Sequence, residues 1–143
     1  MTTMTGHCLC GAVTISVARH GGFTGACHCR MCQRWSGALF ASFNAPSHAV
    51  TVTGDVAAYQ STAFAERAFC PVCGSHLWMR DIADADADYD IMPGLFDAAR
   101  DIPLKSEIYT DRALPGFALA GDHRRATRAE YEAKNAHLEG DMP

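Results

Sequence analysis

Cys8-Leu9-Cys10-Gly11 and Cys70-Pro71-Val72-Cys73-Gly74 decide how this chain folds. Each is a pair of thiols followed by glycine. A third group, Cys27-His28-Cys29-Arg30-Met31-Cys32, lies between them, and these three groups hold all 7 cysteines of the chain. Thiolate sulfur is soft, and zinc takes four such ligands in a tetrahedron without strain. A structural zinc uses four protein ligands, whereas a zinc with chemistry to do keeps one position open. The middle group supplies three sulfurs, so adding either outer pair gives one too many. The two outer pairs together make a closed set of four. The economical partition is a closed site of Cys8, Cys10, Cys70 and Cys73, tying the N-terminus to the middle of the chain, and an open site of Cys27, Cys29 and Cys32. Two zincs per chain are expected. Gly11 and Gly74 fit this partition, because the turn after each pair needs a permissive backbone if amide N–H groups are to point at sulfur.

Two competitors remain at this level. One is a crossed partition, with a single metal site and loose thiols. The other is a redox pair at Cys70 and Cys73. Such a pair should open a helix within a βαβ pattern, but these cysteines sit between strand candidates.

Outward from the cysteines, the chain reads as short strands. Val13, Ile15 and Val17 alternate with Thr14 and Ser16, the pattern of a half-buried strand. Ala49 to Thr53 is β-branched and runs into Gly54-Asp55, a turn leading to a strand over Val56 to Gln60. Leu39 to Phe43, Ala63 to Phe69, His76 to Met79, Tyr89 to Met92 and Glu107 to Thr110 are further strand candidates. Helix is expected in two places. Arg30 to Trp35 makes a short turn, and Thr127-Arg128-Ala129-Glu130 is a capping box followed by helix formers, giving a helix over about 127–138. The expected fold is mainly β with a C-terminal helix, a single zinc-binding domain over 1–143 with its core at about 6–120. The aspartates from Asp81 to Asp90 read as a solvated loop or edge strand, and the tail from Leu138 to Pro143 as frayed.

Composition narrows the function. With 143 residues, 48% of them hydrophobic and 20% charged, the chain can bury a core, which excludes global disorder. No apolar run reaches the roughly 18 residues of a membrane span. A net charge of −4 argues against a nucleic-acid partner. Met1 to His7 is polar and shows no export signal, and an odd number of cysteines suits reduced thiols, so a cytoplasmic protein is expected. The aspartate run lacks the glycine and glutamate of an EF-hand loop. His137-Leu138-Glu139 follows the cysteines instead of preceding them, which excludes a zinc deaminase.

Gly6-His7-Cys8-Leu9-Cys10-Gly11-Ala12-Val13, then Cys27-His28-Cys29-x-x-Cys32-x-Arg34-Trp35-Ser36-Gly37, then Phe69-Cys70-x-x-Cys73-Gly74-Ser75-x-Leu77 resemble the glutathione-dependent formaldehyde-activating (GFA) family, which shares its domain with centromere protein V. The resemblance continues through Ile108-Tyr109-Thr110-Asp111. A tryptophan usual in that family shortly afterwards is absent from Arg112 to Phe117 here. The resemblance implies a β-tent fold, two antiparallel sheets built around a structural zinc. It also implies that a thiol such as glutathione meets the three-cysteine zinc and condenses with formaldehyde to S-hydroxymethylglutathione, formally a carbon–sulfur lyase reaction. The partners expected are therefore a small thiol and a small aldehyde. The catalytic role falls to Cys27, Cys29 and Cys32 through zinc. The alternative is a non-catalytic zinc module that binds or carries a thiol.

Flanking residues extend the site. His28 could give a proton to the developing alkoxide, although alternation along an extended chain turns it away from the metal. Arg30 and Arg34 could meet glutathione carboxylates or lie solvated at the surface. Trp35, Phe40 and Phe43 could wall a pocket or fill the core. His7 and His76 stand beside ligand groups and could support them or be ordinary partly buried histidines.

Overall fold

The alternation at Val13, Ile15 and Val17 is borne out, because all three side chains are fully buried and Thr14–Val17 is a strand. The computed structural model describes residues 2–138, and the tail at 139–143 lies outside them. Eleven strands are described: β1 (Met4–His7), β2 (Thr14–Val17), β3 (Thr24–Cys27), β4 (Phe40–Ala45), β5 (Val50–Thr53), β6 (Ala57–Gln60), β7 (Ala65–Phe69), β8 (His76–Asp81), β9 (Tyr89–Ile91), β10 (Leu104–Ile108) and β11 (Arg124–Ala126). Two short α-helices accompany them, α1 (Arg30–Ser36) and α2 (Arg128–Glu132). The protein is mainly β. Among the described residues no helix is long and apolar enough to cross a membrane.

The chain divides into two compact units. The first comprises residues up to Phe23 together with Ser42–Pro103, and the second comprises Thr24–Ala41 together with the chain from Leu104 onward.

The first unit carries a three-stranded antiparallel sheet and a run of antiparallel strands from a larger sheet. One has the order β1-β2-β5. The other runs β4-β9-β8-β7-β6, with Phe43 opposite Ile91 and Ala68 opposite Trp78. Inward-facing positions build one apolar core from Val13, Ile15, Val17, Phe43, Leu77, Ile91 and Phe96, and Cys8 and Cys70 are part of it. Phe43 and Phe96 meet edge-to-face with centroids 5.4 Å apart, a geometry that adds to simple burial. β1 was not evident from its residues, Met-Thr-Gly-His. Its inward positions are Met4 and Gly6, and a Cβ at Gly6 would lie 2.5 Å from Leu95 O, so only glycine fits there.

The aspartate run divides. Asp81 closes β8 and the following residues form an exposed loop, as expected. Asp90 departs from that reading. It lies in β9, an inner strand between β4 and β8, opposite Asn44 and Met79. Burial pushes its carboxyl up to about 6.

In the second unit β10 pairs with β3 and with β11, both in parallel. These pairings are long-range, and no local alternation announces them. The capping box at Thr127 is present, with Thr127 Oγ1 accepting from the Glu130 amide and the Glu130 carboxylate accepting from the Thr127 amide. The helix it starts is shorter than expected and ends at Glu132. At its end the backbone tightens to i→i−3 bonds, Lys134 N–H to Tyr131 O at 3.1 Å and Asn135 N–H to Glu132 O at 3.0 Å, and Asn135 Nδ2 also donates to Tyr131 O at 2.9 Å.

Candidate metal centres

In the first unit, the tight turns after β1 and β7 bring four sulfurs together. Gly11 N–H donates to Cys8 O at 3.0 Å and Gly74 N–H to Cys70 O at 2.9 Å. Both glycines have positive φ, 80° and 75°, which bulkier residues adopt at a cost. The Sγ atoms of Cys8, Cys10, Cys70 and Cys73 all lie within 4.8 Å of one another. Cys8 Sγ is 3.6 Å from Cys10 Sγ, and Cys10 Sγ is 3.8 Å from Cys70 Sγ. A tetrahedron with zinc–sulfur bonds of about 2.3 Å has edges of about 3.8 Å, so the spacing fits zinc. It is far from a disulfide, at about 2.05 Å.

Backbone and hydroxyl donors are aimed at these sulfurs. The Val13 amide donates to Cys8 Sγ at 3.3 Å, and Ser75 Oγ lies 3.2 Å from Cys73 Sγ while accepting the Leu9 amide at 3.0 Å. Ser75 thus links the two turns. Its hydroxyl and amide draw the Cys73 thiol down to about 5. Burial raises the Cys8 thiol, but the Val13 amide and the Cys10 and Cys70 sulfurs outweigh it and the thiol is lowered. At Cys10 the Ala12 amide favours the thiolate, yet burial and the other three sulfurs win and push it up to about 11. Four sulfurs this close cannot all carry charge unaided. A divalent cation resolves the conflict.

In the second unit, Cys27 ends β3, and Cys29 and Cys32 lie around the start of α1. Their three Sγ atoms also lie within 4.8 Å of one another, and among the described residues no fourth His, Cys, Asp or Glu joins them. Cys29 caps α1, its Sγ accepting the Cys32 amide at 3.3 Å. The sulfurs of Cys29 and Cys32, together with burial, push the Cys27 thiol well above its ordinary value. Three sulfur donors in a closed cluster fit a metal with one position left open.

Of the flanking residues, His28 is buried and its ring turns to a carboxylate, Glu107 Oε1, at 2.7 Å. Arg30 and Arg34 are exposed. Phe43 and Phe40 are buried, and Trp35 is half-buried. His7 is exposed, its Nδ1 2.7 Å from Cys8 O, and His76 is half-buried on β8.

Three residues near the second cluster were not foreseen. Glu107 is buried on β10 and also binds His123 Nε2 and, at 3.2 Å, Arg125 Nε. Tyr109 is the one described non-glycine residue with positive φ, 57°, and is nearly fully buried, with its hydroxyl donating to Glu132 at 3.1 Å. Burial, the Glu132 carboxylate and the Cys27 and Cys29 sulfurs all push its phenol above the ordinary range. Gln33 donates from Nε2 to both His28 O and Arg112 O, each at 2.7 Å. The glutamate and histidine carried no local spacing signal, being far apart in sequence.

Residues 3–112 match the family model described as glutathione-dependent formaldehyde-activating enzyme. An uncharacterized lyase of Schizosaccharomyces pombe is 29% identical over 112 residues, which cover 78% of this chain and 81% of that protein. A crystal structure of a Rhodobacter sphaeroides protein is similar with a TM-score of 0.55 and 26% identity, covering 71% of this chain and all of that one.

Proposed function

Because the chain belongs to the glutathione-dependent formaldehyde-activating family, we propose that it is a zinc-dependent enzyme of the carbon–sulfur lyase type. It joins a small thiol, with glutathione the first choice, to a small aldehyde such as formaldehyde. Cys8, Cys10, Cys70 and Cys73 hold a structural zinc, and Cys27, Cys29 and Cys32 hold a second, giving two per chain. A reducing compartment such as the cytoplasm keeps these thiols free for metal.

The observation that carries this reading is the difference in sulfur count, four in one cluster and three in the other. Zinc held by three thiolates supplies one open position and favours the thiolate form of a thiol that enters it. Three thiolates leave that centre with charge 2 − 3 = −1, which makes it a weak Lewis acid and disfavours hydrolysis as its use.

The protein's own groups do the positioning. Cys29 and Cys32 are buried while Cys27 is half-buried, so the cluster is shielded on one side and approachable on the other. Arg30 and Arg34, exposed beside it on α1, are offered to the carboxylates of glutathione. In the reaction one carbon–sulfur bond forms as the aldehyde C=O π bond breaks. The thiol proton ends on the new hydroxyl oxygen, so atoms and charge balance. Holding thiol and aldehyde together is the main gain, because the addition becomes effectively unimolecular. His28, a candidate proton donor by position, turns its Nε2 to Glu107, which favours a positioning role over proton transfer.

Calorimetry of the zinc-loaded protein with glutathione and S-methylglutathione tests the reading. Glutathione should bind at least about tenfold more tightly, with apparent affinity rising with pH toward the thiol's own pKa of about 8.5. S-methylglutathione keeps both carboxylates but cannot become a thiolate. Equal binding of the two would move recognition to the peptide and remove the second zinc from the site. Thiol binding without turnover of formaldehyde would leave a thiol carrier in place of an enzyme.

A further inference from the structure

His28, the residue between two ligands of the second cluster, is fixed at three points. Its N–H donates to Ile108 O at 3.1 Å, its C=O accepts from Gln33 Nε2 at 2.7 Å, and its ring reaches Glu107 Oε1 at 2.7 Å. A carboxylate has no proton to give, so both His28 and His123 must donate Nε2–H to Glu107. Burial alone would raise the Glu107 carboxyl, but the two histidines reverse that and hold it below its ordinary value. The side chains of His28, Glu107 and His123 are 1%, 6% and 2% exposed. A buried charge is tolerated only when its partners are all in place.

Arg125 completes the group and organises the segment that brings His123 in. Its guanidinium reaches Glu107 through Nε at 3.2 Å, and Nη2 donates to Leu119 O and Gly121 O, each at 3.1 Å. His123 and Arg125 lie beyond residues 3–112, the extent of the family match. No role in the proposed reaction uses them.

We propose that Glu107 is a positioning residue for the three-cysteine centre and that the segment 119–125 is its clasp. His123 and Arg125 hold Glu107, Glu107 holds His28, and His28 sets the spacing of Cys27 and Cys29. Three sulfurs that oppose one another's ionisation are held within 4.8 Å, and a loop already pinned loses less freedom when it binds a cation. The four-cysteine centre is held differently, by the Ser75 hydroxyl that links its two turns and by the apolar core around Cys8 and Cys70. This inference rests on the reading of Cys27, Cys29 and Cys32 as a metal site.

Cobalt(II) provides the test, because thiolate-to-cobalt charge-transfer bands and d–d bands report each centre without any assay of activity. The apo-protein is titrated against a competing chelator for the wild type, His123→Leu and His123→Gln. Leucine cannot donate to Glu107 and glutamine can. The expected result is two cobalts in the wild type and a loss of about 10- to 100-fold in affinity at the three-cysteine centre of His123→Leu, with its d–d bands shifted. The four-cysteine centre should be unchanged, and His123→Gln should recover most of the loss. Should His123→Leu fail to fold, Glu107→Gln removes the charge at constant shape and is expected to weaken the same centre. Wild-type affinity in the leucine variant, or equal loss at both centres, overturns the inference and leaves the site reading intact. A wild type that takes only one cobalt overturns the site reading, and the inference falls with it.

Discussion

The two cysteine clusters reach similar sulfur spacing by opposite means. The four-sulfur cluster draws its ligands from two turns 60 residues apart in sequence, and Cys8 and Cys70 are themselves core residues packed with Ile15, Phe43 and Leu77. The three-sulfur cluster draws its ligands from six consecutive residues, and its surroundings are polar: a buried carboxylate, two histidines, a glutamine and an arginine. In the first case a metal would hold the fold together. In the second the fold holds the metal site together. Under the proposed function the first cluster serves stability and the second chemistry, since a centre that must exchange ligands cannot also be the staple of the core.

The largest predicted effect breaks the comparison outright. Cys73→Ser removes one of four ligands whose metal binding is also folding free energy, so the variant should be unfolded or insoluble. Cys29→Ser should stay folded, with about one zinc in place of about two by elemental analysis. Thermal melts of both variants decide the matter, and comparable losses would abolish the division of labour between the clusters.

A middle-sized effect comes from Asp90 on β9. Its carboxyl is raised from 3.8 to about 6 by burial, so the neutral form is the one the fold favours. That contribution is present below pH 3.8 and is lost as pH rises through 6. At pH 7.5 the charged group is a burden that Asp90→Asn relieves, by about 1–2 kcal/mol after allowing for partial exposure. Urea unfolding should show the variant more stable at pH 7.5, with a smaller gain at pH 5. A gain independent of pH would mean that the carboxyl is solvated in the fold.

The smallest effect sharpens the picture of the second unit. Thr127→Ala removes half of the capping box on α2 and should cost about 1 kcal/mol of stability. The cobalt affinity of the three-cysteine centre should stay at the wild-type value. A parallel loss of metal would show that α2 supports the cluster as much as the clasp does.

How much of this was legible in the residues follows from the range of each interaction. Zinc chemistry compresses its ligands into short spacings, so Cys8-x-Cys10 and Cys70-x-x-Cys73 could be read directly and paired by counting. β2, with its alternating apolar residues, and β4 to β9, with their β-branched, aromatic and apolar runs between turn residues, were visible for the same local reason. β1 and β3 were not, because their inward positions include glycine and alanine, where close backbone approach takes the place of a large side chain. β11 consists of two exposed arginines and one buried alanine, which carry no pattern. Glu107 could not be found by spacing, since its partners His28 and His123 stand 79 and 16 residues away. Asp90 was hidden in a run of acids that is otherwise solvated.

Chain order gives the clasp a consequence in time. During synthesis Cys8 and Cys10 leave the ribosome first, then Cys27, Cys29 and Cys32, then Cys70 and Cys73, and Glu107 and His123 follow later. The four-sulfur set is therefore complete while the three-sulfur loop still lacks the groups that pin it. The newborn chain should take up its first metal at the centre that shapes it, and become competent for the second only when the last strand is out. Nascent chains stalled between Cys73 and Glu107 should carry a single metal, and two metals at that stage would show that the loop assembles without its clasp.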